Sequence, residues 1–229
     1  MCNLPADDPK PRLLIVDAHL LFREGLASLF WLGSEMEVAA AAPEDAVPTA
    51  RQFLPNLLLL DAALSAPPVF QLAESLRAAV PDVRLVLLDD TVRPWRVCRA
   101  LEAQAAGYWT KQASFAQLAA AVGKAAMGQT AFCPEVAPHL VSAGGGLRFD
   151  PPQGLPLSAL SVREREVFAR LAVGRSVAQC AAELGLAANT VENHKTRLMR
   201  KLGVHNRVEL VRQAMVAGFV DEDGRAPWH

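Results

Sequence analysis

Four charged residues in the front half of the chain stand where short apolar runs end. Asp17 follows residues 13–16, Asp61 ends 57–60, Asp89 ends 83–88, and Lys111 follows 108–110. Three carboxylates and an ammonium gathered at one edge are suited to a divalent cation and a phosphoryl group. Carboxylate oxygens are hard ligands, and a lysine offsets incoming negative charge. The elements that must position them follow from the pattern. Those four runs and a fifth, 38–41, alternate with helical stretches around 21–30, 44–53, 69–79, 94–106 and 115–127. Strands alternating with helices predict a doubly wound, five-stranded parallel sheet buried on both faces, with ligands at the carboxyl ends of its strands. Pro48 interrupts the second helix and predicts a short or distorted one.

A second constellation lies in the last third. Ser161 and Glu164 form a capping box, opening a helix that buries Val167, Phe168 and Leu171 and stops at Gly174. Ser176 and Gln179 repeat the box for a short helix with Val177, Cys180, Ala181 and Leu184 inward, ended by Gly185. A turn through 186–188 leads to a third helix over 189–202, and Asn206 with Glu209 caps a fourth whose Val208, Val211 and Met215 form an apolar stripe. Two helices joined by a short Gly-containing turn are the helix-turn-helix signature, within an all-α four-helix domain. On the third helix, Val191, Leu198 and Leu202 face the core. Asn189 and Thr190 start it, Glu192, Asn193, Lys195, Thr196, Arg200 and Lys201 point outward, and Arg197 lies near the boundary. From 189 to 207, Lys195, Arg197, Arg200, Lys201 and Arg207 face Glu192 alone, a net +4 in 19 residues. That face suits DNA phosphates, with Asn193 and Glu192 placed to meet base edges.

A length of 229 residues predicts two domains, and 52% hydrophobic residues supply two cores. The charge divides: residues 1–141 hold 11 basic and 15 acidic groups, residues 157–229 hold 11 and 8, which suits separate regulatory and nucleic-acid-binding modules. Expected bounds are a disordered start at 1–10, an α/β domain at 11–130, a connecting segment and Gly/Pro linker at 131–156, a helix-turn-helix domain at 157–222 and a tail at 223–229. Within the connection, 132–141 reads as a turn-rich or helical tail and 142–156 as the linker. No apolar run reaches the roughly 20 residues of a membrane span, and the first residues lack a secretory pattern, so a cytoplasmic location is expected. Cys2, Cys98, Cys133 and Cys180 are scattered, without metal or redox spacing, and His19 and His139 read as structural or exposed. No Gly-rich turn follows the first strand, which argues against a dinucleotide enzyme, and no enzyme is expected.

The helical segment resembles the LuxR-type output domain over about 60 residues: Arg163-Glu164-Arg165-Glu166-Val167, Gly174, Ala181, Leu184, Thr190-Val191-Glu192-Asn193-His194 and Lys201-Leu202-Gly203-Val204 carry the match. The resemblance implies a third helix in the major groove of double-stranded DNA and a homodimer formed through the last helix or the front domain. Ala187 stands where the family has Ser, so a cap worth about 1 kcal/mol is missing.

The front half resembles the receiver domain of NarL/FixJ-like two-component response regulators, a flavodoxin-like fold, through LLIVDAHLLFREGL, LLLLD and GYWTK. The resemblance puts Asp61 in the phosphoacceptor position, Lys111 in the conserved lysine position and Tyr108 in that of the switch aromatic, with Mg2+ held by Asp17 and Asp61 and a histidine kinase as phosphoryl donor. Two departures follow. Ala18 replaces an acidic metal ligand, weakening Mg2+, and Asp89 replaces a Thr or Ser hydroxyl. A carboxylate there repels a phosphoryl group by on the order of 4 kcal/mol at ~4 Å, and the hydroxyl that draws Tyr108 inward is gone. Thr91 replaces it only if the loop shifts by two residues. Lys111 is expected to pair with Asp61 or Asp89. The chain thus reads as a transcription regulator with an atypical receiver not switched by ordinary aspartyl phosphorylation, controlled by dimerisation, expression level, or an unknown protein or small-ligand regulator. The alternatives are an orthodox phospho-Asp61-activated regulator, and a protein-interaction regulator acting on another transcription factor.

Overall fold

The computed structural model describes residues 10–143, 146–150 and 159–216. Expectations for the first nine residues, the tail and residues 151–156 of the linker lie outside the described residues. The chain separates into two compact units, Met1–Thr91 with Glu102–Pro134, and Val92–Leu101 with Glu135–His229.

In order, the front half forms β1 (Arg12–Val16), α1 (Leu20–Gly33), β2 (Glu37–Ala41), α2 (Ala46–Phe53), β3 (Leu57–Asp61), α3 (Val69–Ala79), β4 (Arg84–Asp89), α4 (Pro94–Glu102), β5 (Gly107–Thr110), α5 (Phe115–Ala126) and β6 (Ala131–Phe132). Every residue of β3 is buried, as are all but the first of β1 and β4. Continuous apolar runs rather than alternating ones are what a parallel sheet covered on both faces requires. The sheet is parallel in the order β2-β1-β3-β4-β5-β6.

The sheet therefore has six strands where five were expected. The sixth is two residues long, too short for any periodicity to show. Its signature lies in its neighbour: a Cβ on Gly107 would stand 2.4 Å from the carbonyl oxygen of Ala131, so only glycine admits β6 so closely. The Trp109 indole N–H also donates to that carbonyl, at 2.8 Å. Pro48 is accommodated simply. A 3-10 turn at Pro43–Asp45 precedes α2, and Pro48 sits in the helix's first turn, where no backbone N–H is needed. Helix α4 ends at Glu102, short of the expected residue 106.

Part of the segment between the halves has regular structure. A 3-10 turn, Ala137–His139, leads into an antiparallel hairpin of β7 (Leu140–Ala143) and β8 (Gly146–Phe149).

The last third forms α6 (Val162–Ala172), α7 (Val177–Leu184), α8 (Ala188–Leu202) and α9 (Arg207–Val216). Both capping boxes are present, with reciprocal bonds at Ser161/Glu164 and Ser176/Gln179. Gly185 and Gly203 close α7 and α8 at φ of +64° and +65°, a conformation that favours glycine. Asn206 accepts from the Glu209 amide at 2.9 Å. Val208 (79% exposed) and Met215 (42%) face away from the core, which α9 reaches through Leu210 and Ala214. No helix among the described residues is long and apolar enough to cross a membrane.

Candidate functional site

Register gathers the charged residues. Val16 pairs with Leu60, Asp61 with Leu88 and Asp89 with Thr110, so Asp17, Asp61, Asp89 and Lys111 share the carboxyl edge at the point where strand order reverses between β1 and β3. The three carboxylates are buried, at 2%, 3% and 0% exposure.

Lys111 is the hub. Its Nζ lies 2.9 Å from Asp17 Oδ2, 3.3 Å from Asp61 Oδ1 and 3.8 Å from Asp90 Oδ1, and 4.8 Å over the Phe22 ring. The pairing is with Asp17 and Asp61 rather than with Asp89, because Asp89 is committed elsewhere. Burial opposes the lysine charge, yet Asp17 and Asp61 outweigh it and hold the ammonium above its ordinary value. For Asp61, burial is the largest influence, and with Asp17 nearby it raises the carboxyl pKa in spite of the Ala63 amide and Lys111. Lys111 sits nearer Asp17 than Asp61.

Asp89 accepts the Tyr108 hydroxyl on Oδ2 at 2.5 Å and the Asp90 amide on Oδ1 at 2.8 Å. Tyr108 is fully buried. With the hydroxyl absent as expected, the Asp89 carboxylate itself takes the part of drawing the tyrosine inward. Thr91 is exposed, and its carbonyl rather than its hydroxyl faces Tyr108, at 3.5 Å.

Sequence reasoning missed His19, Phe22 and Asp90. The His19 ring is exposed as expected, yet its Nδ1 lies 3.0 Å from Asp17 Oδ1, which also accepts the His19 amide at 2.7 Å. Ligand atoms of Asp17, His19 and Asp61 lie within 4.8 Å of one another, a metal-sized gathering. Ala18 is exposed and contributes no ligand atom. Spacing of two residues from Asp17 was the only signal for His19.

On α8, Asn189, Thr190, Glu192, Asn193, Thr196, Arg197 and Arg200 are exposed, as are Lys201 and Arg207, while Lys195 is half-buried. Val191, Leu198 and Leu202 face inward. Ala187 supplies no side-chain cap. Two basic groups are engaged within the unit: Lys195 pairs with Glu192 at 2.9 Å, and Lys201 Nζ reaches Glu164 Oε2 at 2.6 Å and the Ala159 carbonyl at 2.9 Å. Lys201 thus braces the capping box of α6. Burial works against the Glu164 charge, but Lys201 and the Ser161 amide prevail and hold its carboxyl below the ordinary value.

The profile of "Bacterial regulatory proteins, luxR family" matches residues 158–214. The "Probable transcriptional regulatory protein NarL" of Mycobacterium tuberculosis is 35% identical, over 93% of this chain and 97% of its own length. The "Transcriptional regulatory protein UhpA" of Escherichia coli K12 is 33% identical, over 87% and 95%. A structure of two RcsB dimers bound to two parallel DNAs superposes with a TM-score of 0.58 at 19% identity, over 91% of this chain and 99% of that one. The chain belongs to the LuxR-type response-regulator family, whose members pair an α/β receiver with a helix-turn-helix unit.

Two outcomes test these sites. Lys111→Met leaves Asp17 and Asp61 facing each other without a cation, and lowers stability at neutral pH by roughly 3 kcal/mol in denaturant titration. The lysine's raised pKa keeps its stabilisation in place below its ordinary value and loses it as pH rises through the folded value. At the acid end, the variant's deficit shrinks as Asp61 protonates, from above its ordinary 3.8. A deficit that stays constant with pH counts against this pairing. In the second, Lys201→Met costs about 1 kcal/mol at neutral pH, because the pair is partly exposed. Glu164's lowered pKa means its stabilisation is present above 4.5 and lost as pH falls through the folded value. Equal losses in thermal melts at neutral and acid pH would assign the effect to packing.

Proposed function

We propose that the chain is a cytoplasmic regulator of transcription that binds double-stranded DNA as a homodimer, through α8, and whose receiver is held without aspartyl phosphorylation. The DNA reading rests on α8's polar face, exposed after a capped α7 and a tight turn. Asn193 and Glu192 read base edges near the helix start, with Asn189, Thr190 and Thr196 beside them. Arg197, Arg200 and Arg207 contact phosphates. Lys195 and Lys201 contribute less, being engaged with Glu192 and Glu164. The RcsB dimers bound to DNA support both the ligand and the pairing. The proposed bounds are a receiver at 11–130, a connection at 131–156 and the DNA-binding domain at 157–222.

One observation carries the phosphorylation-independent reading. The buried Asp89 carboxylate accepts the Tyr108 hydroxyl, so the aromatic is held inward by a group already in the fold. The pocket adds to this. Mg2+ needs a near-octahedral oxygen shell, whereas Asp17 and Asp61 already share Lys111, the next position is Ala18, and the third nearby donor is an imidazole. These residues fit Mg2+ poorly. Control then passes to dimerisation, expression level, or a protein or small-ligand regulator.

Acetyl phosphate with Mg2+ is expected to leave both the mass of Asp61 and the DNA affinity unchanged. An added phosphoryl mass that disappears in Asp61→Asn, together with a shift in affinity, would establish the orthodox kinase-driven switch instead. Gel shifts against the chain's own upstream DNA test the output unit. Arg200→Ala is expected to weaken binding to all sequences and to reduce the salt slope by about 1. Asn193→Ala is expected to relax preference at one base pair, at a cost of about 1–3 kcal/mol. Equal losses on specific and random DNA would remove Asn193 from base reading. A chain that binds no DNA would favour action through another transcription factor.

A further inference from the structure

We infer that the amino edge of the sheet, beside the start of β4, holds a binding site for monohydrogen phosphate, apart from the carboxylate cluster. Arg84 opens β4 and Asp89 ends it. At about 3.3 Å per strand residue, the two ends stand roughly 17 Å apart, so a ligand at Arg84 does not compete for Lys111. A cavity of about 270 Å³ lies there, lined by Arg77, Asp82, Arg84, Gln104, Ala106 and Thr130, all within the front unit. It falls just below the roughly 300–1,000 Å³ of pockets that take drug-sized molecules, which suits a small ion.

The positive charge comes from two guanidinium groups that the fold leaves uncompensated. Arg77, in the last turn of α3, and Arg84 are both half-buried. Among the described residues neither forms an ion pair with a carboxylate, whereas Arg12, Arg170 and Arg175 each pair with a glutamate. A guanidinium offers several N–H donors in a planar fork, and each of these two spends one on a loop carbonyl. Arg84 Nη2 donates to Gln129 at 2.8 Å and Arg77 Nη2 to Gln104 at 3.4 Å. Arg84 Nε is buried and has no acceptor among the described residues. Burial holds the Arg77 pKa below its ordinary value, the mark of a cation short of hydration. Paired guanidinium forks match the oxygens of a phosphate geometrically as well as in charge, and the exposed Thr130 adds a hydroxyl.

Asp82 selects among oxyanions. It lines the same cavity, is exposed and pairs with neither arginine. A carboxylate only accepts hydrogen bonds, so it favours a dianion that carries its own O–H and repels one that does not. Monohydrogen phosphate has that hydroxyl at neutral pH, whereas sulfate offers the same charge and shape without it.

Equilibrium dialysis of the full chain against radiolabelled inorganic phosphate, at ionic strength fixed with sodium chloride, reads the site. Saturable binding of one ion per chain is expected, with sulfate weaker by at least about tenfold. Arg77→Gln and Arg84→Gln are each expected to weaken phosphate binding at least about tenfold. Arg77→Lys keeps the charge but loses the fork, and is expected to fall between Arg77→Gln and the parent. Melting temperatures of the ion-free variants separate these losses from unfolding. Asp82→Asn, on the exposed rim, keeps the fold and is expected to remove most of the preference for phosphate over sulfate. Absence of saturable binding up to about 10 mM phosphate overturns the proposal. So does sulfate that competes as well as phosphate in the parent, or binding that is lost in Arg200→Ala on α8 yet kept in Arg77→Gln.

Discussion

The carboxyl edge of the sheet depends on one half-buried cation. Asp17 and Asp61 are each almost wholly removed from water, and two ionised carboxylates so placed repel each other while both lose hydration. Lys111 resolves both costs at once because β5 ends one residue before it and lies next to β4, so its short reach crosses to β3 and β1. The compensation also occupies the pocket. A metal or phosphoryl group arriving there must compete with an ion pair already formed, in a site where Asp17 Oδ1 is also taken by the His19 amide. The same interaction that lets the edge fold also fills the space between its two buried carboxylates.

The two departures from the receiver pattern are physically linked. Loss of an acid at Ala18 removes negative charge from the pocket, and Asp89 returns one two strands away, so three carboxylates remain with one lysine at the carboxyl edge. What changes is where the charge points. Asp89 turns toward Tyr108 and the Asp90 amide, leaving Lys111 to Asp17 and Asp61. A hydroxyl at this position can both donate and accept, so it can follow a phosphoryl group and release the aromatic. An ionised carboxylate only accepts, and a tyrosine hydroxyl buried beside it is a ready donor. The substitution thus sets an acceptor-only group against the Tyr108 hydroxyl.

What the residues disclosed in advance divides along a physical line. Elements set by local signals were legible: the Ser161 and Ser176 boxes, the glycine-closed end of α7, and β3, with its unbroken apolar run. The converging charges were legible too, because parallel register places strand ends together. Pairings decided by side-chain direction were not. Which carboxylate would take Lys111 depended on Asp89 turning to Tyr108, and nothing in spacing distinguishes the two. The two-residue β6 was hidden because its cause is a close approach across the sheet at Gly107. The α9 stripe was visible as apolar, but Leu210 and Ala214 rather than Val208 and Met215 fill the core, since helical spacing alone does not fix which side a helix presents.

The output unit shows why a count of basic residues misjudges a binding face. Five cations against one carboxylate between 189 and 207 suggested a uniformly basic helix. Two of them serve the fold: Lys195 neutralises Glu192, and Lys201 reaches back to the carboxylate that caps α6. That second contact ties the far end of α8 to the start of α6, a reach of 37 residues along the chain, and so fixes the angle at which α8 is presented. Because Ala187 leaves the start of α8 without a side-chain cap, orientation rests the more on this distal anchor and on Val191, Leu198 and Leu202 beneath it. The exposed polar side chains that remain are then fewer: a short polar group at the helix start and the arginines 197, 200 and 207, whose planar guanidinium groups, under the DNA-binding reading proposed above, match phosphate geometry better than a lysine does.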